Sequence, residues 1–199
     1  MAPDLVLASG SPTRRMLLEN AGITVHVEPA RIDEAALRDS AISENVKARD
    51  IADMLAEHKA RRVAGKLGEG IVLGCDQVLV FGDGLLSKPD TPEALRAQLG
   101  RLNGNSHELL SAAVIYDGGR PVWRHVGRTR MHMRQASPAY LDDYIARNWD
   151  TVRHSVGGYQ IEGEGIRLFQ RIEGDYFHVL GLPLTEILVY LTQRGIIDG

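Results

Sequence analysis

Ile71-Val72-Leu73-Gly74-Cys75-Asp76-Gln77-Val78-Leu79-Val80-Phe81 is the most apolar stretch of the chain. A half-exposed strand alternates apolar and polar residues, whereas this run is nearly continuous, so it reads as a central strand covered on both faces. Gly82-Asp83-Gly84 then turns the chain into Leu85-Leu86-Ser87-Lys88-Pro89, an adjoining hairpin strand that would bring the Lys88 ammonium towards Asp76. Upstream, Leu5-Val6-Leu7-Ala8 ends in Ser9-Gly10-Ser11-Pro12, after which Met16, Leu17, Leu18 and Ala21 recur at helical spacing up to Gly22. The pattern is strand, tight loop, helix, with Ser11 as N-cap and Pro12 as first helical residue.

Between these two strands, residues 23–27 read as another strand and Arg31-Ile32-Asp33-Glu34 as a polar loop over an open face. Residues 43–63 read as one long amphipathic helix, with Val46, Ile51, Leu55, Ala56, Ala60 and Val63 on one side and Gly65 as its stop. Lys59 falls near the C-terminal end of that helix, where a lysine ordinarily matches the helix dipole at the surface. Downstream, Thr91-Pro92-Glu93 opens a helix that ends near Asn103-Gly104. Residues 107–116 and 121–134 form a hairpin through Asp117-Gly118-Gly119, and Ser137-Pro138 caps a helix to about Asn148. A glycine-studded loop over 157–165 precedes two short strands and a closing helix that begins near Pro183. Helices mixed with hairpins favour an α/β sheet that is not purely parallel.

At 199 residues, 44% hydrophobic and 25% charged, the chain suits a single domain over 1–199, with one core or two lobes sharing a sheet. No stretch approaches the roughly 18 apolar residues of a membrane span, and Met1-Ala2-Pro3-Asp4 is not a basic leader, so a cytoplasmic, non-membrane protein is expected. The single cysteine, Cys75, excludes an internal disulfide and a cysteine-based zinc cluster. A net charge of −3 argues against a generic nucleic-acid binder, so an anionic ligand must be held by a local site. Arg124, Arg128, Arg130, His132 and Arg134 share strand parity and one face, which reads as a solvated face cross-paired with acids or, alternatively, as a nucleic-acid stripe.

Three constellations carry chemistry. In Ser9-Gly10-Ser11-Pro12-Thr13-Arg14-Arg15, two arginines stand in the first turn of a helix whose N-terminus is already positive, which is unfavourable unless an anion sits there. Arg14 would grip phosphate oxygens bidentately, with the Ser9 and Ser11 hydroxyls beside it; the alternative is a capped helix with solvent-facing arginines. Asp76 lies inside an apolar strand, where an ionised carboxylate needs a cation, a metal, hydrogen-bond donors or an exposed strand end. Backbone amides at a bulge near Gly74 are the structural alternative. The third is the glycine-rich loop over 157–165, which matches neither a dinucleotide fingerprint nor a P-loop; its glycines would admit a flat ligand, with Tyr159 and Glu162 as base contacts.

Along nearly its whole length the chain resembles the Maf family of nucleotide pyrophosphatases. The landmarks are Leu7-Ala8-Ser9-Gly10-Ser11 with Arg14 and Leu17-Leu18, Ile32-Asp33-Glu34, Leu55-Ala56 with Lys59-Ala60, Leu73-Gly74-Cys75-Asp76, Lys88-Pro89, Gly158-Tyr159 with Glu162-Gly163, and Gly181-Leu182-Pro183-Leu184. The resemblance implies an elongated Maf/inosine-triphosphatase-like α/β fold, with a mixed central sheet, flanking helices and a cleft between two lobes. It implies a hydrolase acting on acid anhydrides that splits nucleoside triphosphates to monophosphate and pyrophosphate, helped by a divalent cation, Mg2+ or Mn2+. Asp76 would accept the proton of the attacking water; Arg14, Lys59 and Lys88 would hold the triphosphate; Glu34, with Asp76, would place metal or water.

Where thymidine/uridine-type members carry arginine, threonine and glutamine, this chain has Thr13, Gln77 and Glu162. The last two resemble the 7-methyl-GTP-preferring subgroup, whereas Thr13 matches neither pattern. A carboxylate at Glu162 would accept hydrogen bonds from guanine N1–H and N2–H2 and favour a cationic methylated base. The competing readings are an inosine-triphosphate-type or dTTP/UTP-type house-cleaning pyrophosphatase, and a non-catalytic division regulator or nucleic-acid-binding module. A homodimer is compatible with all of them.

Overall fold

The computed structural model describes residues 5–198, so the reading of Met1 to Asp4 lies outside the described residues. The first part of the chain runs β1 (Leu5–Leu7), α1 (Pro12–Asn20), β2 (Val25–Val27), α2 (Glu34–Ser43), α3 (Ala48–Leu67) and β3 (Ile71–Phe81). It continues through β4 (Gly84–Leu86), α4 (Pro92–Leu102), the hairpin β5 (Ser106–Asp117) and β6 (Arg120–Met133), α5 (Pro138–Val152), β7 (Phe169–Glu173), α6 (Tyr176–Val179) and α7 (Leu184–Gln193). The strands follow the order β2-β1-β3-β5-β6-β7, with β4 on β3. β1 is parallel to β2 and β3, whereas β3–β4 and β6–β7 are antiparallel. The mixed α/β sheet with flanking helices is the one expected, and β3 is its long interior strand.

Two compact units divide the chain, the first from residues 1–77, 111–127 and 180–199 and the second from 78–110 and 128–179. In the first, Leu5, Leu7, Val72 and Leu73 of the sheet and Ile51, Leu55 and the alanines Ala52, Ala56 and Ala60 of α3 are all nearly or fully buried. The small side chains let the helix lie directly on β3. A Cβ at Gly74 would sit 2.2 Å from Ala56 O and 2.6 Å from Ala60 N, so glycine is the residue that permits this approach.

The single helix expected over 43–63 is two helices. Asn45 adopts a left-handed φ of 57°, and Val46 N bonds back to Ala41 O, a turn that closes α2 before α3 begins. Gly65 does not stop α3, which runs on to Leu67 and ends at Gly68, φ 77°. Nor are residues 31–34 all loop. Asp33 caps α2 by accepting from Ala36 N at 3.0 Å, which makes Glu34 its first residue.

In the second unit, Leu95, Leu99 and Leu102 of α4 and Leu141, Tyr144 and Ile145 of α5 are buried. Gly157 and Gly158, at φ 80° and 66°, belong to this core rather than to an open loop: a Cβ at Gly158 would lie 1.9 Å from Leu95 Cδ1. Where two short strands were expected before the closing helix there is one, β7. After Gly174 the Asp175 carboxylate accepts from Phe177 N at 2.7 Å and His178 N at 3.2 Å, which starts α6 instead. Among the described residues no helix is long and apolar enough to cross a membrane.

Candidate active site

The contact at Gly74 decides where the first unit places its charges. Two residues along β3 from Gly74, Asp76 faces the same side, and on α3 the segment that packs there carries Lys59. Lys59 Nζ donates to Asp76 Oδ1 at 2.6 Å and lies 3.0 Å from Glu34 Oε1. The Lys59 and Asp76 side chains are each 8% exposed and Glu34 is 46% exposed. Lys59 is therefore a buried mid-helix cation, not the surface residue expected, because α3 extends eight residues beyond it to Leu67. Asp76 is answered by an ammonium, not by backbone amides at a bulge. Burial pushes its carboxyl above the usual range, against the pull of Lys59 and Arg14 and with a further push from Glu34.

The β1–α1 loop is arranged as its sequence indicates. Ser11 Oγ accepts from Arg14 N at 3.3 Å with Pro12 opening the helix, and Ser11 N donates to Ser9 Oγ at 3.3 Å. The two arginines part company. Arg15 pairs with Glu19 at 2.7 Å on the surface, while Arg14 turns inward. Its Nε donates to Gly181 O at 2.8 Å and its Nη1 to Cys75 O at 3.0 Å and Ser9 Oγ at 3.2 Å. Gln77, beside Asp76 on β3, donates to Ser111 Oγ at 2.9 Å. Thr13 is half-buried on α1. Burial raises the Cys75 thiol to about 11, which makes it no nucleophile near neutrality.

The first unit thus brings together Ser9, Ser11, Arg14, Glu34, Lys59, Asp76 and Gln77. Lys88 and Glu162 belong to the second unit, and both are exposed. The β3–β4 ladder ends at Leu79–Leu86, so Lys88 follows the strand instead of pairing within it. Tyr159 is no base contact: it is 5% exposed, with its hydroxyl 2.6 Å from His107 Nε2. Much of the arginine face is paired, although Arg130 is exposed and has no ion pair among the described residues. Arg124 meets Asp53 and Glu57, Arg128 meets Glu108, and His132 meets Glu173, while Arg134 lies over the Tyr140 ring. Two contributors were missed from the sequence. Ser111 is one hydroxyl in an apolar strand, and Gly181 stood out only as part of a motif with no role attached.

A family model described as Maf-like protein matches residues 4–194. The chain belongs to the Maf family. Among Maf relatives, the nucleoside triphosphate pyrophosphatase of Ruegeria pomeroyi is 54% identical over 198 residues, covering 100% of both chains. That of Roseobacter denitrificans is 55% identical, covering 98% of each. The 7-methyl-GTP pyrophosphatase of Mesorhizobium japonicum is 45% identical over the full length of both. The solved dITP/XTP pyrophosphatase of Mycobacterium abscessus covers 96% of this Maf chain and 95% of its own at 16% identity and a TM-score of 0.43, too remote a likeness to bear on function.

Proposed function

We propose that this Maf protein is a nucleoside triphosphate pyrophosphatase, a hydrolase that opens the bond between the α- and β-phosphates and releases nucleoside monophosphate and pyrophosphate. The observation that carries the reading is the buried Lys59–Asp76 pair, 2.6 Å apart, in the same unit as an inward-turned arginine at a helix N-terminus. Hydrolysis of a triphosphate needs an oriented water, a group to take its proton, and cations where negative charge develops. Asp76 is suited to the proton. Lys59 holds its Oδ1, its Oδ2 has no hydrogen-bond partner among the described residues, and a carboxyl raised by burial accepts a proton more readily at neutral pH than an exposed one. Lys59 donates to Asp76 and is ion-paired with Glu34, and with three N–H donors it keeps capacity for an anion. Arg14 serves the phosphates, flanked by Ser9 and Ser11.

A magnesium or manganese ion fits the same residues. Such ions take oxygen ligands, keep several waters, and are held by one or two carboxylates together with substrate phosphates. Glu34 and Asp76 each turn one oxygen to Lys59 and each keep a second, so these two would hold it. When bound, the ion would neutralise charge on the phosphates. Lys88 is exposed and without an ion pair among the described residues, which leaves its ammonium available to phosphate.

The base preference we propose is for 7-methyl-GTP. Glu162 supports it as an exposed carboxylate that matches a cationic guanine, beside relatives named 7-methyl-GTP pyrophosphatase at 45% and 44% identity. A cytoplasmic location accords with a single, buried cysteine. The test is product analysis on 7-methyl-GTP, GTP, UTP, dTTP and ITP, with and without a chelator. Monophosphate and pyrophosphate are expected, lost with chelation and restored by magnesium or manganese. Nucleoside diphosphate and orthophosphate as first products would overturn the reaction. Glu162→Gln should reduce the preference for the methylated base, and unchanged relative rates would place base reading elsewhere.

A further inference from the structure

We infer that Gly181 is a positioning residue that determines which edge of Arg14 faces phosphate, an inference that rests on Arg14 being a phosphate ligand. A guanidinium has five N–H donors in a fixed plane. In Arg14, Nε is held by Gly181 O at 2.8 Å, and the two hydrogens of Nη1 are directed to Cys75 O at 3.0 Å and Ser9 Oγ at 3.2 Å. Nη2 makes no hydrogen bond among the described residues. Arg14 therefore does not present the two-nitrogen fork expected from its sequence position; it presents both remaining donors from one nitrogen, end-on.

Gly181 controls that nitrogen in two ways. Its carbonyl fixes the plane of the guanidinium, and its missing side chain leaves Nη2 clear. A Cβ at Gly181 would lie 3.2 Å from Nη2, 3.4 Å from Nε and 3.7 Å from Gln77 Cδ, in contact with the atom left for the ligand. Its φ of +87° also disfavours any residue with a Cβ. The carbonyl is held in place from the other side, because Leu182, Pro183 and Leu184 are all buried and Leu184 N donates to Leu182 O at 2.8 Å. Seen this way, the Gly181-Leu182-Pro183-Leu184 motif anchors a carbonyl against Arg14.

The test is a double-variant cycle on kcat/KM, with melting temperature measured on every protein. Gly181→Ala should lower kcat/KM by about tenfold or more, the scale of one charge-assisted hydrogen bond. Arg14→Ala should do at least as much. The double variant should fall no further than Arg14→Ala alone, because a crowded Nη2 cannot matter once Arg14 is gone. Effects that multiply would overturn the inference and leave the reading of Arg14 intact. An Arg14→Ala enzyme with wild-type kcat/KM would overturn that reading and the inference with it. Gly181→Asn separates crowding from backbone strain, since asparagine tolerates positive φ better than alanine. It should regain melting temperature but not kcat/KM, whereas recovery of both would show that strain alone was at work.

Discussion

Each unit of the molecule buries polar groups, and the two resolve the cost differently. The first buries charge, with Lys59 and Asp76 at 6% and 5% exposure, each compensated by the other. The second buries a neutral pair, with His107 and Tyr159 at 2% and 5%, joined at 2.6 Å. Burial lowers the His107 ring to about 4 and raises the Tyr159 hydroxyl, so neither is charged near neutrality. An apolar core is cheaper to build around neutral partners than around ions. The second unit follows that economy, and its pair is read here as architecture. The first departs from it in the place where hydrolysis would need a carboxylate and a cation, and departures of that kind mark candidate sites.

The sharpest way to break this contrast is to remove the buried cation. Lys59→Met strands Asp76 in an apolar site and should cost about 3–5 kcal/mol, the range for breaking a buried pair. The loss should depend on pH in a definite direction. The folded Asp76 carboxyl lies above its unfolded value of 3.8, so the folded state binds the proton more tightly and stability falls as pH rises through that interval. Without the pull of Lys59 the folded carboxyl rises further still, so the deficit of Lys59→Met relative to wild type should grow as pH rises past the wild-type folded value and shrink below it. Urea unfolding at several pH values measures this, and a deficit that is flat with pH would mean that packing, not charge, was lost.

Asp76→Asn addresses the other partner. The amide oxygen still accepts from Lys59 and Glu34 still faces the ammonium, so stability should suffer less than in Lys59→Met. Turnover should fall by at least the ~100-fold typical of losing a general base, with nucleotide affinity retained. Near-normal turnover in a less stable protein would make Asp76 structural and erase the difference between the units.

How much of this was legible in the sequence follows from the range of the interactions. β3 declared itself through continuous apolarity, and the Ser11-Pro12 helix start and the turn at 117–119 through residues adjacent in the chain. Asp33 as a cap and Asn45 as a helix stop carried local signals that were outweighed by the apolar spacing on either side. Asp76 was singled out because a carboxylate in an apolar strand demands a partner, yet the partner itself depended on Gly74 admitting α3, a contact that spacing does not encode. Gly181 is 167 residues from Arg14, and no local pattern announces a carbonyl aimed across that distance.

The mildest perturbation belongs to the second unit. Tyr159→Phe should destabilise by about 1–3 kcal/mol at neutral pH, because it leaves His107 Nε2 buried without its partner, where Nδ1 already has none among the described residues. Replacing both members, His107→Leu with Tyr159→Phe, removes donor and acceptor together and should cost less than the single change, since apolar substitution of a whole buried pair approaches neutrality. The double variant should also alter the acid response. His107 is depressed from 6.5 to about 4 in the folded state, so its contribution is fully present above pH 6.5 and is lost as pH falls towards 4. Wild type should lose stability across that window, and the double variant should lose less there. Turnover should be unaffected in both, because neither side chain is assigned to the chemistry. Chemical denaturation between pH 4 and 7.5, with kinetics on the same preparations, tests all of this. A double variant that remained folded but turned over slowly would show that the neutral pair serves catalysis, and that the division between a structural and a functional buried pair has been drawn in the wrong place.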